Sequence, residues 1–405
     1  MKKTIITSYA RTAIGTFLGS LKEVPVEFLG AIAIRGALER SNLGNDQVDE
    51  VIMGHAISSG EAQNVARVSL LLAGLTEETP GFTVCRMCAS GIQAIVCAMQ
   101  AIQTDNAEIV IAGGTENLSR VPYYLPLSVR YKGLKNLNYE LLCSNQRSSE
   151  TIQPPSIYPG WNMGLTGENV AEHCQISRQD QDIFSLESHR KAIAAIKSGR
   201  VAEEIVPVEI EQKKGPTVTF EVDEHPRENT SLEALARLRP AFKKDGMLTA
   251  GNSSGINDGA AALVVMSEDK GKELGLKPLA YLVNYAVTAV DPRLMGLSPV
   301  TAIPKVLKKA GLQLQDIDLF EINEAFAGQI LACLKELGMY MGTPLYDRVN
   351  VNGGAVALGH PLGMTGARLT GTLAYELRHR NLRYGIASAC VGGGLGMALL
   401  IENIN

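Results

Sequence analysis

Two stretches of the sequence, CASGIQAIVCAMQAIQTDNAEIVIAGG at 88–114 and GMTGARLTGTLAYELRHRNLRYGIASACVGGG at 363–394, follow the same plan. Each begins with small residues, continues as an apolar pattern of helical length and ends in a short apolar run before paired glycines. Such a run is typical of a buried strand, and glycine permits the tight turn that follows. The repetition indicates a duplicated α/β unit, although similar units recur in many doubly wound proteins.

The remainder of the chain also predicts an α/β fold. Short apolar runs at 4–9, 50–56 and 82–84 alternate with helical patterns, one from about Glu27 to Glu39 and one after Asn64. This alternation is typical of helices packed on a largely buried sheet. The middle of the chain is richer in proline, tyrosine and charge, and we interpret it as an insertion.

Composition excludes several classes of protein. The chain has 405 residues, and its 38 Lys and Arg residues against 42 Asp and Glu give a net charge of -4, so no basic surface is available for nucleic acid. No stretch approaches the roughly 20 apolar residues of a membrane helix, and the N-terminus lacks an export signal. We therefore expect a cytoplasmic protein that binds neither nucleic acid nor membrane, with its seven cysteines reduced.

Cys88 is a candidate nucleophile. It follows the run FTV and precedes a predicted helix, so its sulfur would lie at a helix N-terminus, where the dipole favours the thiolate. Position alone leaves a buried structural cysteine equally open. Cys85 and Cys88 also form a CxxC pair, but no second CxxC completes a zinc site, and we expect no bound metal.

Other polar residues follow predicted strands. His360 lies in a glycine-rich loop, where an imidazole could exchange protons with sulfur. Cys390 ends a predicted buried strand just before three glycines, whose backbone N–H groups could approach a ligand closely. Asn323 and Glu324 follow another strand. Packing does not require this constellation, which favours a catalytic site.

Taken together, the motifs resemble the thiolase family over essentially the whole chain. They are RMCASGIQAI at 86–95, IAGGTENLS at 111–119, RPAFKKDGMLTAGNSSGINDGAAA at 239–262, EINEAFA at 321–327, NGGAVALGHPLG at 352–363 and CVGGGLG at 390–396. The resemblance implies an α/β thiolase fold, with duplicated halves in a five-layered αβαβα core and an inserted loop domain. We accordingly expect residues 1–119 and about 256–275 in the N-terminal half, 120–255 in the loop domain and 276–405 in the C-terminal half.

The resemblance also implies a mechanism, namely reversible acyl transfer between coenzyme A thioesters. Cys88 would carry the acyl group, His360 would take its proton, and Cys390 would remove a proton from the α-carbon of acetyl-CoA. Asn323 would hold a water molecule that forms one oxyanion hole with His360, and the backbone N–H groups of Cys88 and Gly392 would form the other.

Binding residues follow from the same resemblance. The expected contacts to coenzyme A and the acyl group are Arg227, Ser254, Met163, Met295 and Phe326. Acetyl-CoA, acyl-CoA and CoA would be the substrates, no further cofactor is expected, and the protein would be a homodimer or homotetramer. The activity is expected to be acetyl-CoA C-acetyltransferase, with a longer-chain or specialised 3-ketoacyl-CoA thiolase and an inactive CoA-binding or redox-sensing relative as alternatives.

The chain departs from the family pattern at two positions. Cys85 replaces an asparagine that is common three residues before the nucleophile, and Asn162 replaces a histidine that is common before the methionine. We therefore hypothesise an unusual acyl pocket, walled by Tyr123, Tyr124 and Trp161. A second hypothesis is that Cys85 forms a protective disulfide with Cys88 under oxidation.

Overall fold

The structure, a computed structural model, describes residues 2–58, 60–134 and 139–404, in which strands alternate with helices. The strands are β1 (Thr4–Arg11), β2 (Gly15–Thr16), β3 (Glu50–Gly54), β4 (Gly81–Val84), β5 (Ile109–Asn117), β6 (Tyr123–Tyr124), β7 (Leu142–Cys143), β8 (Val208–Ile210), β9 (Val218–Phe220), β10 (Asn257–Ser267), β11 (Ala280–Ala289), β12 (Leu319–Ile322), β13 (Tyr384–Val391) and β14 (Leu395–Asn403). The α-helices are α1 (Val26–Ser41), α2 (Val65–Ala73), α3 (Ser90–Gln103), α4 (Ser128–Lys132), α5 (Ser144–Thr151), α6 (Met163–His173), α7 (Arg178–Lys197), α8 (Leu232–Ala236), α9 (Glu268–Glu273), α10 (Ser298–Ala310), α11 (Ala327–Glu336), α12 (Ala355–Leu358) and α13 (Leu362–His379).

The two halves of the chain build their sheets in the same order. In the first half the order is β4-β3-β5-β10-β1, and in the second it is β12-β13-β14-β11, with β1 pairing β11 where the halves meet. A parallel bridge between Phe320 and Val349 occupies the place in the second half that β4 occupies in the first. The predicted duplication is therefore confirmed.

Helices separate and cover the two half-sheets. Helices α3 and α13 pack against each other between them, with Ile92 and Ile95 of α3 in one buried cluster with Leu369 and Leu373 of α13. Helices α1 and α2 cover the outer face of the first half, and α10 and α11 cover that of the second. This arrangement is the five-layered αβαβα core that the resemblance implies, and burial of these apolar faces stabilises it.

Glycine lets the two central helices approach closely at their N-terminal ends. A Cβ on Gly91 would lie 2.5 Å from the backbone nitrogen of Ala367, and one on Gly366 would lie 2.4 Å from that of Ile92. Any larger residue at either position would push the helices apart. The crossing brings together the residues that precede α3 and α13, and these include Cys88 and His360.

The segment between β5 and β10 contains the two small hairpins β6–β7 and β8–β9 and helices α4 to α8. The buried guanidinium of Arg11 anchors it to β1, because Nη1 lies 2.8 Å from Asp223 and Nε lies 3.0 Å from Glu204. The division into an N-terminal half at 1–119 and about 256–275, a loop domain at 120–255 and a C-terminal half at 276–405 stays a prediction. Within the described ranges, no helix is both long and apolar enough to cross a membrane.

Candidate active site

A cavity of about 380 Å³ opens where the N-terminal ends of α3 and α13 meet. Its walls come from both halves of the core and from the segment between them. The lining residues the sequence analysis singled out are Cys88, His360, Asn162, Met163, Met295, Ser254 and Phe326. Most of the lining is apolar, which is typical of a pocket for a small organic ligand.

Cys88 lies in the short 3₁₀ turn Met87–Ala89, directly before α3. Burial raises the pKa of its thiol to about 11, and this effect outweighs the backbone N–H of Gly392, which lowers the pKa. The predicted thiolate is therefore wrong, because a thiol of this pKa is protonated at neutral pH. The helix end is correctly located, but removal of the sulfur from water dominates its ionisation.

The hydrogen bonds of His360 fix its tautomer. The hydroxyl of Thr365 donates to the carbonyl of Pro361 at 2.9 Å, so its oxygen accepts from Nδ1 of His360 at 2.6 Å. Nδ1 then carries the proton and Nε2 has the free lone pair. Burial, assisted by the nearby charge of Arg368, lowers the pKa of His360 to about 4. The imidazole is thus neutral at physiological pH and can accept a proton at Nε2.

Asn323 and Glu324 follow the same strand, but their side chains make different contacts. Nδ2 of Asn323 lies 3.3 Å from Nε2 of His360, and its buried Oδ1 has no hydrogen-bond partner among the described residues. Glu324 instead accepts hydrogen bonds from Ser188 at 2.8 Å and from Asn350 at 2.7 Å. Asn323 therefore belongs to the site, whereas the hydrogen bonds of Glu324 connect neighbouring parts of the fold.

Cys390 lies near the end of β13 and is 1% exposed. Burial and the neighbouring thiol of Cys88 raise its pKa well above the usual value, so it is a protonated thiol at neutral pH. Gly392 follows directly after the strand. A Cβ there would lie 2.0 Å from Ile152, so a side chain would disturb the wall next to Cys88.

The predicted binding residues divide between two cavities. Ser254, Met163, Met295 and Phe326 all line the cavity that contains Cys88. Arg227 instead lines a separate cavity of about 90 Å³ together with His189 and His225. The structure does not bring Arg227 to the reacting groups, and its contact with coenzyme A stays a prediction.

The predicted aromatic wall is wrong. Tyr123 and Tyr124 form the short strand β6 and are 66% and 44% exposed, and neither these residues nor Trp161 line the cavity. The wall is formed instead by residues that lack an obvious sequence signal, among them Ile57, Leu118, Ile152, Phe242 and Ile256. The exposed hairpin explains the error, because it holds both tyrosines away from the cavity.

All seven cysteines are free. Cys85 is exposed, and its thiol lies 3.7 Å from the carbonyl oxygen of Ala56 and 3.7 Å from the sulfur of Met87. It is close enough to Cys88 to raise that residue's pKa slightly further. A disulfide between the two stays a prediction.

The sequence analysis missed Glu116, a fully buried carboxylate beside the site. It accepts hydrogen bonds from the backbone of Gly363 at 2.9 Å and of Ala56 at 2.9 Å, and it pairs with His55 at 3.1 Å. Although burial acts to raise the pKa of Glu116, His55 and the backbone N–H groups hold it below its usual value. Its negative charge favours protonated His360. The sequence feature that could have revealed Glu116 is that it is the single acidic residue in the motif IAGGTENLS.

Cys88 and a neutral His360 line one cavity, and the thiol of Cys390 neighbours Cys88. These groups suit an enzyme that carries an acyl group on sulfur. Comparison with known proteins agrees. Residues 4–269 match the model of the thiolase N-terminal domain, and residues 276–403 match that of the thiolase C-terminal domain. The chain is 47% identical to an acetyl-CoA acetyltransferase of Escherichia coli over 407 residues, covering 100% of both chains.

Solved structures give the same result. The acetyl-CoA acetyltransferase of Bacillus anthracis superimposes with a TM-score of 0.94 at 45% identity, covering 100% of this chain and 99% of that one. Human mitochondrial 3-ketoacyl-CoA thiolase superimposes with a TM-score of 0.93 at 41% identity, covering 100% of this chain and 99% of that one. The chain therefore belongs to the thiolase family and is an enzyme, an acyl-CoA C-acyltransferase.

Proposed function

We propose that the protein is an acetyl-CoA C-acetyltransferase, which interconverts two acetyl-CoA molecules with acetoacetyl-CoA and CoA by a ping-pong reaction. The observation that carries this proposal is that Cys88 and His360 line one cavity and that the thiol of Cys390 neighbours Cys88. The names of relatives such as the Escherichia coli and Bacillus anthracis enzymes support acetyl-CoA as the substrate.

The first half-reaction begins from a neutral pair. As the sulfur of Cys88 attacks a thioester carbonyl, its proton passes to Nε2 of His360, and the tetrahedral oxyanion accepts hydrogen bonds from the backbone N–H groups of Cys88 and Gly392. Cys390, a thiol at the start, then donates its proton to the departing sulfur of CoA and becomes a thiolate. The acyl group remains on Cys88, and His360 keeps its proton at Nε2. The thiol proton moves as the carbon–sulfur bond forms, because burial disfavours a free thiolate.

The second half-reaction requires a carbanion. In the condensing direction, Cys390 removes a proton from the α-carbon of acetyl-CoA, and the carbanion attacks the acyl group on Cys88. The thioester oxygen of acetyl-CoA, which becomes negative, is stabilised by protonated Nε2 of His360 and by a water molecule that Asn323 holds. The unpartnered Oδ1 of Asn323 supports this role, since a buried amide oxygen without a partner is costly.

Coenzyme A itself is proposed to bind against the loop domain at 120–255. Ser254 supports this assignment through its place in the wall of the cavity, and Arg227 would contact the nucleotide part outside it. The homodimeric or homotetrameric state and the cytoplasmic location are likewise proposed from the sequence resemblance and composition.

A longer-chain 3-ketoacyl-CoA thiolase is the second candidate. It is favoured by the similarity to the human mitochondrial enzyme, whose TM-score is almost the same as that of the Bacillus anthracis enzyme. Steady-state thiolysis of acetoacetyl-CoA and of a six- to ten-carbon 3-ketoacyl-CoA series separates the two candidates. We expect the acetoacetyl compound to give the highest kcat/KM and Cys88→Ala to abolish activity on every substrate. A preference for long chains would support the second candidate, and inactivity of a folded wild-type protein would contradict both.

A further inference from the structure

One wall of the active-site cavity is polar, and it comes from a single helix. Helix α5 lines the cavity with five polar side chains, whereas most of the other lining residues are apolar. The five are Asn145, Gln146, Ser148, Ser149 and Glu150. A simple alkyl chain would not require such a wall, because polar groups lose hydrogen bonds to water when hydrocarbon covers them.

The charge of this wall is almost balanced. Glu150 supplies the carboxylate, and it lies 3.2 Å from Arg147 and accepts a hydrogen bond from Gln146 at 3.0 Å. Neither lysine nor arginine is among the residues described as lining the cavity. A carboxylate on the ligand would therefore be repelled by Glu150 and would meet no cation in the described lining. An uncharged polar group would not be repelled.

Two of the five side chains form no hydrogen bond with any described residue. Ser149 accepts from the backbone of Met163 at 3.0 Å, so its oxygen is already engaged. Within the described part of the chain, neither the amide of Asn145 nor the hydroxyl of Ser148 forms a hydrogen bond, and both side chains are only partly exposed. Together they offer donors and acceptors to a ligand in the cavity.

Contacts with Gly392 place the C-terminal end of α5 on the side of the cavity that contains Cys88. Ile152, directly after α5, lies against Gly392, and the sulfur of Met163 lies on the same side, 3.2 Å from where a Cβ of Gly392 would be. Gly392 supplies a backbone N–H to Cys88. Because Ser149 also accepts a hydrogen bond from Met163, α5 is held on the same side of the cavity as Gly392 and Cys88.

We propose that, among substrates longer than acetoacetyl-CoA, the enzyme prefers those whose acyl chain carries an uncharged hydrogen-bonding group, a hydroxyl, and that Asn145 and Ser148 recognise it. This inference rests on the proposed thiolase reaction and specifies the acyl group that the reaction transfers. A site built to bond a hydroxyl discriminates strongly against the analogue that lacks it, since its own polar groups are then left unpaired.

The test compares three substrates of equal chain length with the purified full-length enzyme. They are 3-ketohexanoyl-CoA, its analogue with a hydroxyl on the terminal carbon and its analogue with a terminal carboxylate, and acetoacetyl-CoA is assayed alongside. We expect the hydroxylated compound to exceed the plain one in thiolysis kcat/KM by about tenfold or more, and the carboxylate to be the poorest. Equal values, or a preference for the plain or the carboxylate compound, would overturn the inference.

Variants of α5 test whether the polar wall causes the preference for the hydroxylated substrate. Asn145→Leu combined with Ser148→Ala should reduce the ratio of kcat/KM between hydroxylated and plain substrates to about one or below. Ser148→Ala alone should lower this ratio partly, and it provides the test if the double variant does not fold. Thr151→Ala is the matched control, because that exposed hydroxyl bonds to a carbonyl of its own helix and does not line the cavity.

The outcomes separate this inference from the proposed function. If acetoacetyl-CoA is cleaved but the double variant keeps the wild-type ratio, the inference is wrong and the thiolase function stands. An equal rise in the KM for CoA with every substrate would place α5 along the coenzyme arm and would also contradict the inference. Failure of the folded wild-type enzyme to cleave any of the four compounds would overturn both.

Discussion

Nδ1 of His360 donates a hydrogen bond to the hydroxyl oxygen of Thr365 at 2.6 Å, inside the first turn of α13. The same hydroxyl is itself anchored to the carbonyl of Pro361. This short chain of hydrogen bonds holds the ring and keeps the proton on Nδ1, so that Nε2 is available to Cys88. A residue that does not touch the reacting atoms thereby determines which nitrogen acts as the base.

Replacement of Thr365 by valine should therefore impair catalysis more than folding. We expect kcat for thiolysis to fall by about tenfold to a hundredfold, which corresponds to the loss of one hydrogen bond to a buried group. Thr370→Val is the control, because its hydroxyl is also buried in α13 and bonds to a helix carbonyl at 2.9 Å. Equal kcat values for the two variants would show that the tautomer is not fixed in this way.

The ionisation of Cys88 can be measured by alkylation. Because its pKa is about 11, the rate constant for iodoacetamide should rise about tenfold per pH unit from pH 6 to 10 without an inflection near neutrality. Peptide mapping separates Cys88 from the exposed Cys85, and Cys88→Ala gives the background. A rate that is already constant above pH 6 would reveal a thiolate–imidazolium pair and contradict a neutral pair of Cys88 and His360.

Glu116 should contribute strongly to stability. Replacement by glutamine leaves one of the N–H groups that it binds, such as that of Gly363, without an acceptor, and leaves His55 without its anion. We expect the free energy of unfolding in urea to fall by about 3 kcal/mol. Glu61→Gln breaks the exposed pair with Arg120 and should cost less than about 1 kcal/mol. Comparable losses for the two variants would refute this assignment.

Cys85 should be dispensable for catalysis but protective under oxidation. Cys85→Ser should keep kcat within about twofold of wild type, because its thiol is exposed and does not line the cavity. After brief treatment with peroxide, a thiol reductant should restore the wild type, through reduction of a Cys85–Cys88 disulfide, more fully than the variant. Identical recovery would argue against the disulfide. A large loss of kcat without oxidation would assign Cys85 a role in the reaction.

The sequence predicts the duplicated core well because strands and helices repeat in regular patterns there. Cys88, His360 and Cys390 could be located from their motifs, because Cys88 and His360 stand just before helices α3 and α13 and Cys390 stands near the end of β13. The direction of the Cys88 pKa shift could not be predicted, since it depends on burial that only the assembled fold creates. The cavity wall was also missed, because residues such as Ile152 and Phe242 come from irregular segments where periodicity carries no information.

Transfer of the acyl group to Cys88 is the central claim, and mass spectrometry of the intact protein tests it most directly. The wild type is mixed with acetyl-CoA and quenched in acid within one turnover, and Cys88→Ala is treated in the same way. We predict that the wild type gains the mass of one acetyl group, located on the peptide that contains Cys88 and removed by added CoA, and that the variant gains none. An unmodified wild type that nevertheless turns over, or an acetyl group on another residue, would contradict the mechanism.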